Sequence, residues 1–174
     1  MRLFIITFAL FMLSVSIFAK DNNEINDITV GYGSSTDNID IYKVSIKKDL
    51  NKYFFERRYK YLPRYYETSL SYWKAESGGN ISSISFTPMY RYDFNQYYDS
   101  TPYIEIGIGL SYLSESKLDS ENFGTHVQFE DVIGIGYKFS DFDLSFRYIH
   151  YSNAGMDSNS AYVDFSMISI SYEF

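Results

Sequence analysis

The chain reads as an all-β protein, an eight-stranded antiparallel transmembrane β-barrel. Three observations predict this fold. First, its segments alternate apolar with polar or small side chains over stretches of about ten residues, the pattern of a strand with one face in lipid and one in a barrel lumen. Second, aromatic residues are abundant (19 Tyr, 15 Phe), while no long apolar run follows the first residues. Third, the last strand carries the apolar row Ile168, Ile170, Tyr172 and Phe174, so that the chain stops on an aromatic residue.

The first 19 residues stand apart from this pattern. Arg2 gives a short positive start, Leu3 to Phe18 is largely apolar, and Ala19 is a small residue before Lys20. This predicts a secretory signal peptide over residues 1–19 and an outer-membrane barrel domain over 20–174. A retained membrane anchor is the rival reading, for which the run is short.

The row Ile104, Ile106, Ile108, Leu110 and Tyr112 alternates with Glu105, Gly107, Gly109 and Ser111. Ile133, Ile135, Tyr137 and Phe139 alternate likewise with Gly134, Gly136 and Lys138. Turn signals then place strands at 27–36, 38–48, 67–76, 81–94, 101–114, 124–139, 142–152 and 160–174. An even number suits a single-chain bacterial barrel. The segment 49–66 is read as irregular or interfacial, because Glu56, Arg57, Arg58, Lys60 and Pro63 interrupt its aromatics. Were it a strand, one of the first two strands would have to merge or move.

A net charge of −7 argues against a nucleic-acid partner. There is no cysteine, and the two histidines lack a ligand-like spacing, so neither a metal nor a cofactor is expected. The interior of an eight-stranded barrel is filled by side chains, which makes a diffusion pore an unsuitable role.

The candidate chemistry lies at the C-terminal end. Phe142, Leu144, Phe146 and Tyr148 share one strand face, and His150 and Ser152 continue that row. Asp164 has the parity of the apolar row on the last strand. With both termini on the periplasmic side, the strand ending at Ser152 rises to the outer surface and the last strand descends from it. Pairing that sets Asp164 opposite His150 centres the connecting loop on Asp157. Serine is a poor nucleophile until an adjacent base takes its proton, and that base needs a group that fixes its tautomer. His150, Ser152 and Asp164 supply those three roles, and ionisable groups on a lipid-facing surface are functional candidates. The bland alternative is that Ser152 and Asp164 belong to a wet loop rim and His150 sits at the membrane interface.

The run His150-Tyr151-Ser152-Asn153-Ala154-Gly155 resembles the active-site segment of the lipid A 3-O-deacylase (PagL-type) family. Gly124 to Asp131 and Ile133 to Gly136 are similar too, so the resemblance covers about the last fifty residues. It implies a serine esterase that hydrolyses the ester-linked 3-hydroxyacyl chain at position 3 of lipid A, with lipopolysaccharide as substrate. In that family the acid is typically a Glu fourteen positions after the histidine; Asp164, one methylene shorter, stands there in this chain. A developing oxyanion needs donors, and Asn153 and Gly155 are the nearest candidates, although strict alternation turns Asn153 inward. The apolar row from Phe142 to Tyr148, with Ile168 and Ile170, would lie along acyl chains.

Several other residues are expected to be structural. His126 should face the lumen. Glu130 and Asp131 are assigned lumen or bulge roles, one of them pairing with Arg147 or Arg91. Arg57, Arg58, Lys60 and Arg64 belong to a solvated turn or meet anionic headgroups. Two rival functions remain at this stage: a non-enzymatic structural or adhesin barrel, and an outer-membrane phospholipase or acyltransferase using the same triad.

Overall fold

A computed structural model describes residues 27–49, 63–157 and 160–173. Among the described residues, ten strands run in chain order: β1 (Asp27–Ser35), β2 (Ile39–Asp49), β3 (Tyr65–Ala75), β4 (Asn80–Asp93), β5 (Thr101–Leu113), β6 (Lys117–Leu118), β7 (Glu121–Asn122), β8 (Val127–Lys138), β9 (Phe142–Ser152) and β10 (Val163–Glu173). Eight of them form one closed antiparallel barrel in the order β1-β10-β9-β8-β5-β4-β3-β2, and β6 and β7 form a separate hairpin. The expected architecture is therefore present, and β9 keeps its expected bounds. The expected signal peptide and Phe174 lie outside the described residues.

The other seven barrel strands differ from expectation by one to three residues at one or both ends. Tyr65 and Tyr66 belong to β3 and Asp49 to β2, paired as Asp49↔Tyr65 and Lys48↔Tyr66. The irregular stretch is thus narrower than 49–66, and residues 50–62, including Arg57, Arg58 and Lys60, lie outside the described residues. β2 ends and β3 begins at the end of the barrel where β1 starts and β10 stops. Arg64 is exposed there, and its backbone N–H donates to the Met89 carbonyl. Between β5 and β8, the β6–β7 hairpin occupies residues that the expected strands left as a connection.

Alternation sorts the side chains onto the two barrel faces. Outward-facing residues form an apolar belt that includes Leu70, Ile84, Ile106, Leu110, Ile133, Phe146 and Ile168. Exposed aromatics flank it. Tyr32, Tyr42, Tyr72, Tyr112 and Tyr148 lie toward one end, and Tyr92, Phe94, Tyr137, Phe142 and Tyr172 toward the other. This is the arrangement of a transmembrane barrel with two aromatic girdles.

The lumen is packed and divided into two zones. Its middle holds buried charges in matched pairs. Arg147 Nε donates to Glu105 Oε1 at 2.7 Å and its Nη1 to Glu67 Oε2 at 2.9 Å, while Lys43 Nζ donates to Glu130 Oε2 at 2.8 Å. Tyr65 and Tyr151 hydroxyls complete the carboxylates of Glu105 and Glu130. Small residues make room for this network: a Cβ on Gly134 would meet Glu105 and Arg147 at about 3 Å. Above it, toward the β9–β10 loop, Trp73 packs edge-on or tilted against Phe123, Tyr151 and Phe165 in an apolar plug. Glu130 is a lumen residue as expected, but its cation is Lys43; Arg147 pairs with Glu67 and Glu105, and Arg91 with Asp93 and Asp143.

Candidate active site

The lumen packing sets the phase of β9, and with it the site. Ile149 and Tyr151 are fully buried, Tyr151 against Trp73 and hydrogen-bonded to Glu130. Asn153, just past the strand, is buried as well. The residues between them, His150 and Ser152, must therefore face outward, and both are partly exposed. Two residues of strand separate their Cα atoms by about 6.6 Å, so the two side chains stand side by side on one face.

The β9–β10 register pairs Asp164 with His150, as expected. His150 Nδ1 and Asp164 Oδ1 lie 2.6 Å apart. An ionised carboxylate only accepts, so Nδ1 carries the proton and Nε2 is left as the basic nitrogen. The ring is held further by Tyr162, whose centroid lies 5.4 Å from that of His150. The pair is only partly shielded, with side-chain exposures of 34% for His150 and 24% for Asp164. Its attraction is therefore that of a surface-proximal pair rather than a buried one.

Asp131 was not expected here. Assigned a lumen or bulge role, it instead shares the outward row of β8 with Phe129 and Ile133 and is paired with His150 on the side opposite Asp164. No bulge shifts the phase of β8, so parity alone turns Glu130 in and Asp131 out. His150 thus stands between two carboxylates across three adjacent strands. The signal was present in the sequence as a single acid interrupting the row Val127, Phe129, Ile133, Ile135.

Asn153 and Gly155 are engaged with each other. Asn153 Nδ2 donates to the Phe123 carbonyl at 3.3 Å, and its Oδ1 accepts from the Gly155 N–H at 3.0 Å. The Asn153 side chain therefore points inward and fixes a turn in which Ala154 and Gly155 both have positive φ, 52° and 78°. A left-handed Ala is uncommon, and this turn begins directly after Ser152. His126 also departs from expectation. It precedes β8, so strand alternation does not govern it, and its ring stacks on the exposed Tyr112 while Nδ1 meets the Leu113 carbonyl at 2.8 Å. It is structural, but not a lumen residue.

On the outward face below the site, a groove of about 450 Å³ is lined by Ile104, Ile135, Leu144, Phe146 and Ile168, among others. Among the described residues, no group of three or more His, Cys, Asp or Glu is arranged to hold a metal ion.

Comparison with known proteins agrees with this picture. The family model described as lipid A 3-O-deacylase (PagL) matches residues 40–173. The chain is 32% identical over 133 residues to the lipid A deacylase PagL of Pseudomonas aeruginosa, covering 75% of this chain and 76% of that protein. It is 31% identical over 112 residues to the lipid A deacylase PagL of Bordetella bronchiseptica, covering 62% and 61%. Its fold matches the crystal structure of the outer membrane enzyme PagL with a TM-score of 0.74 at 26% identity, over 85% of this chain and 99% of that one. The chain with His150, Ser152 and Asp164 on the outer face of its closed barrel belongs to the lipid A 3-O-deacylase (PagL) family.

Proposed function

We propose that this protein is a lipid A 3-O-deacylase of the outer membrane and that Ser152, His150 and Asp164 carry its chemistry. The single observation that supports this assignment best is the 2.6 Å contact between His150 Nδ1 and Asp164 Oδ1 on a face otherwise made of lipid-facing residues. Family membership supplies the substrate class: lipid A, with the 3-hydroxyacyl ester at position 3 as the bond cut.

Ser152 Oγ attacks the ester carbonyl while His150 Nε2 takes its proton. The tetrahedral intermediate collapses, and His150 returns the proton to the departing sugar oxygen at position 3. This leaves an acyl ester on Ser152. Water, deprotonated by His150, attacks that ester, and release of the 3-hydroxy fatty acid restores the Ser152 hydroxyl. Asp164 keeps the imidazole in the correct tautomer and stabilises the imidazolium formed in both steps. Asn153 and Gly155 act on the oxyanion side by holding the turn that follows the nucleophile, so that backbone N–H groups rather than the Asn153 amide are the donors.

The site belongs at the extracellular end of the barrel, where lipopolysaccharide is the lipid at hand. The acyl chains then run down the row Tyr148, Phe146, Leu144 and into the groove beside Ile135 and Ile168. Because the bond lies at the barrel's outer surface, substrate reaches Ser152 laterally from the leaflet and needs no channel.

The experiment is to incubate the refolded barrel separately with purified lipid A and with phospholipid vesicles and to examine both lipids by tandem mass spectrometry. Loss of one 3-hydroxyacyl chain from position 3 of lipid A, with phospholipid intact, is expected. Hydrolysis of phospholipid with lipid A unchanged would transfer the site to a phospholipase.

A further inference from the structure

We infer that Gln128 is a positioning residue of the hydrolytic site: through the turn between β7 and β8 it holds the oxyanion side of the site in place behind Ser152. The inference rests on the assignment of Ser152, His150 and Asp164 above.

The turn that follows Ser152 does not hold itself. Ala154 and Gly155 both lie at positive φ, where an alanine is uncommon, and Met156 beyond them is exposed. What fixes the turn is the buried Asn153 side chain, whose Oδ1 accepts from the Gly155 N–H at 3.0 Å. With the amide turned over, an NH₂ would stand against that N–H. The Phe123 carbonyl prevents this. It only accepts, so Nδ2 must face it, at 3.3 Å, and Oδ1 is left for Gly155. The conformation beside the nucleophile therefore depends on where one carbonyl of a different loop stands.

Gln128 places that carbonyl. It precedes Phe129, which pairs with Ser152, and it is fully buried. Its Nε2 donates to the Phe123 carbonyl at 3.1 Å and to the Thr125 carbonyl at 2.7 Å, so both amide hydrogens are spent on the backbone of a single turn. The Thr125 N–H donates to the Phe123 carbonyl as well, at 2.8 Å. The Phe123 ring anchors the same residue edge-on to Trp73 in the apolar plug. Between them Gly124 has a φ of 75°, and a Cβ there would stand 2.9 Å from Asn153 Nδ2 and 2.8 Å from Asp157 Cβ. The far end of the β9–β10 loop is tied to the same place, where the Ala161 N–H donates to the Asn122 carbonyl at 2.7 Å. The loop after the nucleophile is thus seated on this turn at its start, middle and end. An oxyanion donor works only within a narrow range of distance, about 2.7–3.1 Å. A loop beyond the barrel's rim gains that precision by being bound to β8 through Gln128.

Gln128→Met tests this, because it keeps the length and the buried volume but removes both hydrogen bonds to the turn. Gly124→Ala is the second variant; it pushes on Asn153 and Asp157 and leaves Gln128 in place. Each variant is first shown to fold by the gel shift between unboiled and boiled barrel, and lipid A turnover is then followed by mass spectrometry over a range of substrate concentrations. We expect either change to lower kcat about tenfold, short of the roughly 10²–10³ that follows outright removal of an oxyanion donor, with KM within about twofold. In an Asn153→Ala background, read with excess protein over long incubations, Gln128→Met should lower turnover no further, because it acts through Asn153. An unchanged kcat or a rise in KM alone in either folded variant, or an equal loss from Gln128→Met with and without Asn153, would overturn the inference and make Gln128 an ordinary buried amide. If the Asn153→Ala background does not fold or is too slow to read, the division between kcat and KM in the single variants decides. The assignment beneath it is checked separately: parent turnover lost in Ser152→Ala upholds the nucleophile whatever Gln128→Met does.

Discussion

Replacing Asp164 by Asn keeps the side-chain volume and the barrel register but removes the charge that faces His150. The structure fixes how large the effect should be. His150 Nδ1 and Asp164 Oδ1 are 2.6 Å apart, which puts the centres of the two delocalised charges about 4 Å apart when the imidazole is protonated. Both side chains are partly exposed, so an effective dielectric of about 20 applies and the attraction is about 4 kcal/mol. That attraction exists only once the imidazolium forms, so it lowers the barrier without tightening substrate binding. At 1.36 kcal/mol per tenfold, the expected loss in kcat is about 10³-fold, with KM little changed. An Asn amide can also present its NH₂ to Nδ1 and select the wrong tautomer, which adds to the loss. The assay is turnover of lipid A by mass spectrometry against the parent protein at matched folded fraction. A loss smaller than tenfold would refute the reasoning and shift the acid's role toward Asp131, the carboxylate on the other side of His150.

Two further outcomes follow from the same structure. Asp131→Asn should lower kcat only about two- to tenfold, because Asp131 acts on His150 through space without a hydrogen bond; steady-state turnover beside Asp164→Asn measures the difference. Arg147→Ala should destabilise the barrel by about 3–5 kcal/mol, since Glu67 and Glu105 would be left buried without their guanidinium; the urea midpoint of the unboiled gel shift reads this out.

Much of the barrel was legible before any coordinates, and for a physical reason. A strand that separates lipid from a packed lumen must alternate, so the parity of β5, β8, β9 and β10 could be read residue by residue. The pairing of Asp164 with His150 followed from that parity and the loop length between the strands. Tyr65 and Tyr66 were harder to assign, because the aromatics and the proline before them hid the start of β3. The lumen pairs were not legible at all. That Lys43 meets Glu130 depends on how the barrel closes, and no local pattern encodes contacts between β2 and β8. Asp131 was overlooked because an acid in the row Val127, Phe129, Ile133, Ile135 looks like a lumen residue out of phase. It is in phase, and it faces His150.

The β9 site also illustrates how fold and chemistry share residues. Tyr151 and Asn153 are spent inward, on Trp73, Glu130 and the Phe123 carbonyl, and this inward packing obliges His150 and Ser152 to face the lipid. Strands rather than loops carry the proposed reacting groups, which suits a site whose geometry must hold in a fluid leaflet.

The most direct test of the central claim compares lipid A treated with the refolded parent protein and with Ser152→Ala. Loss of one 3-hydroxyacyl chain with the parent and none with the variant, both barrels folded, is the predicted result. Equal deacylation by the two would remove Ser152 from the chemistry and contradict the account.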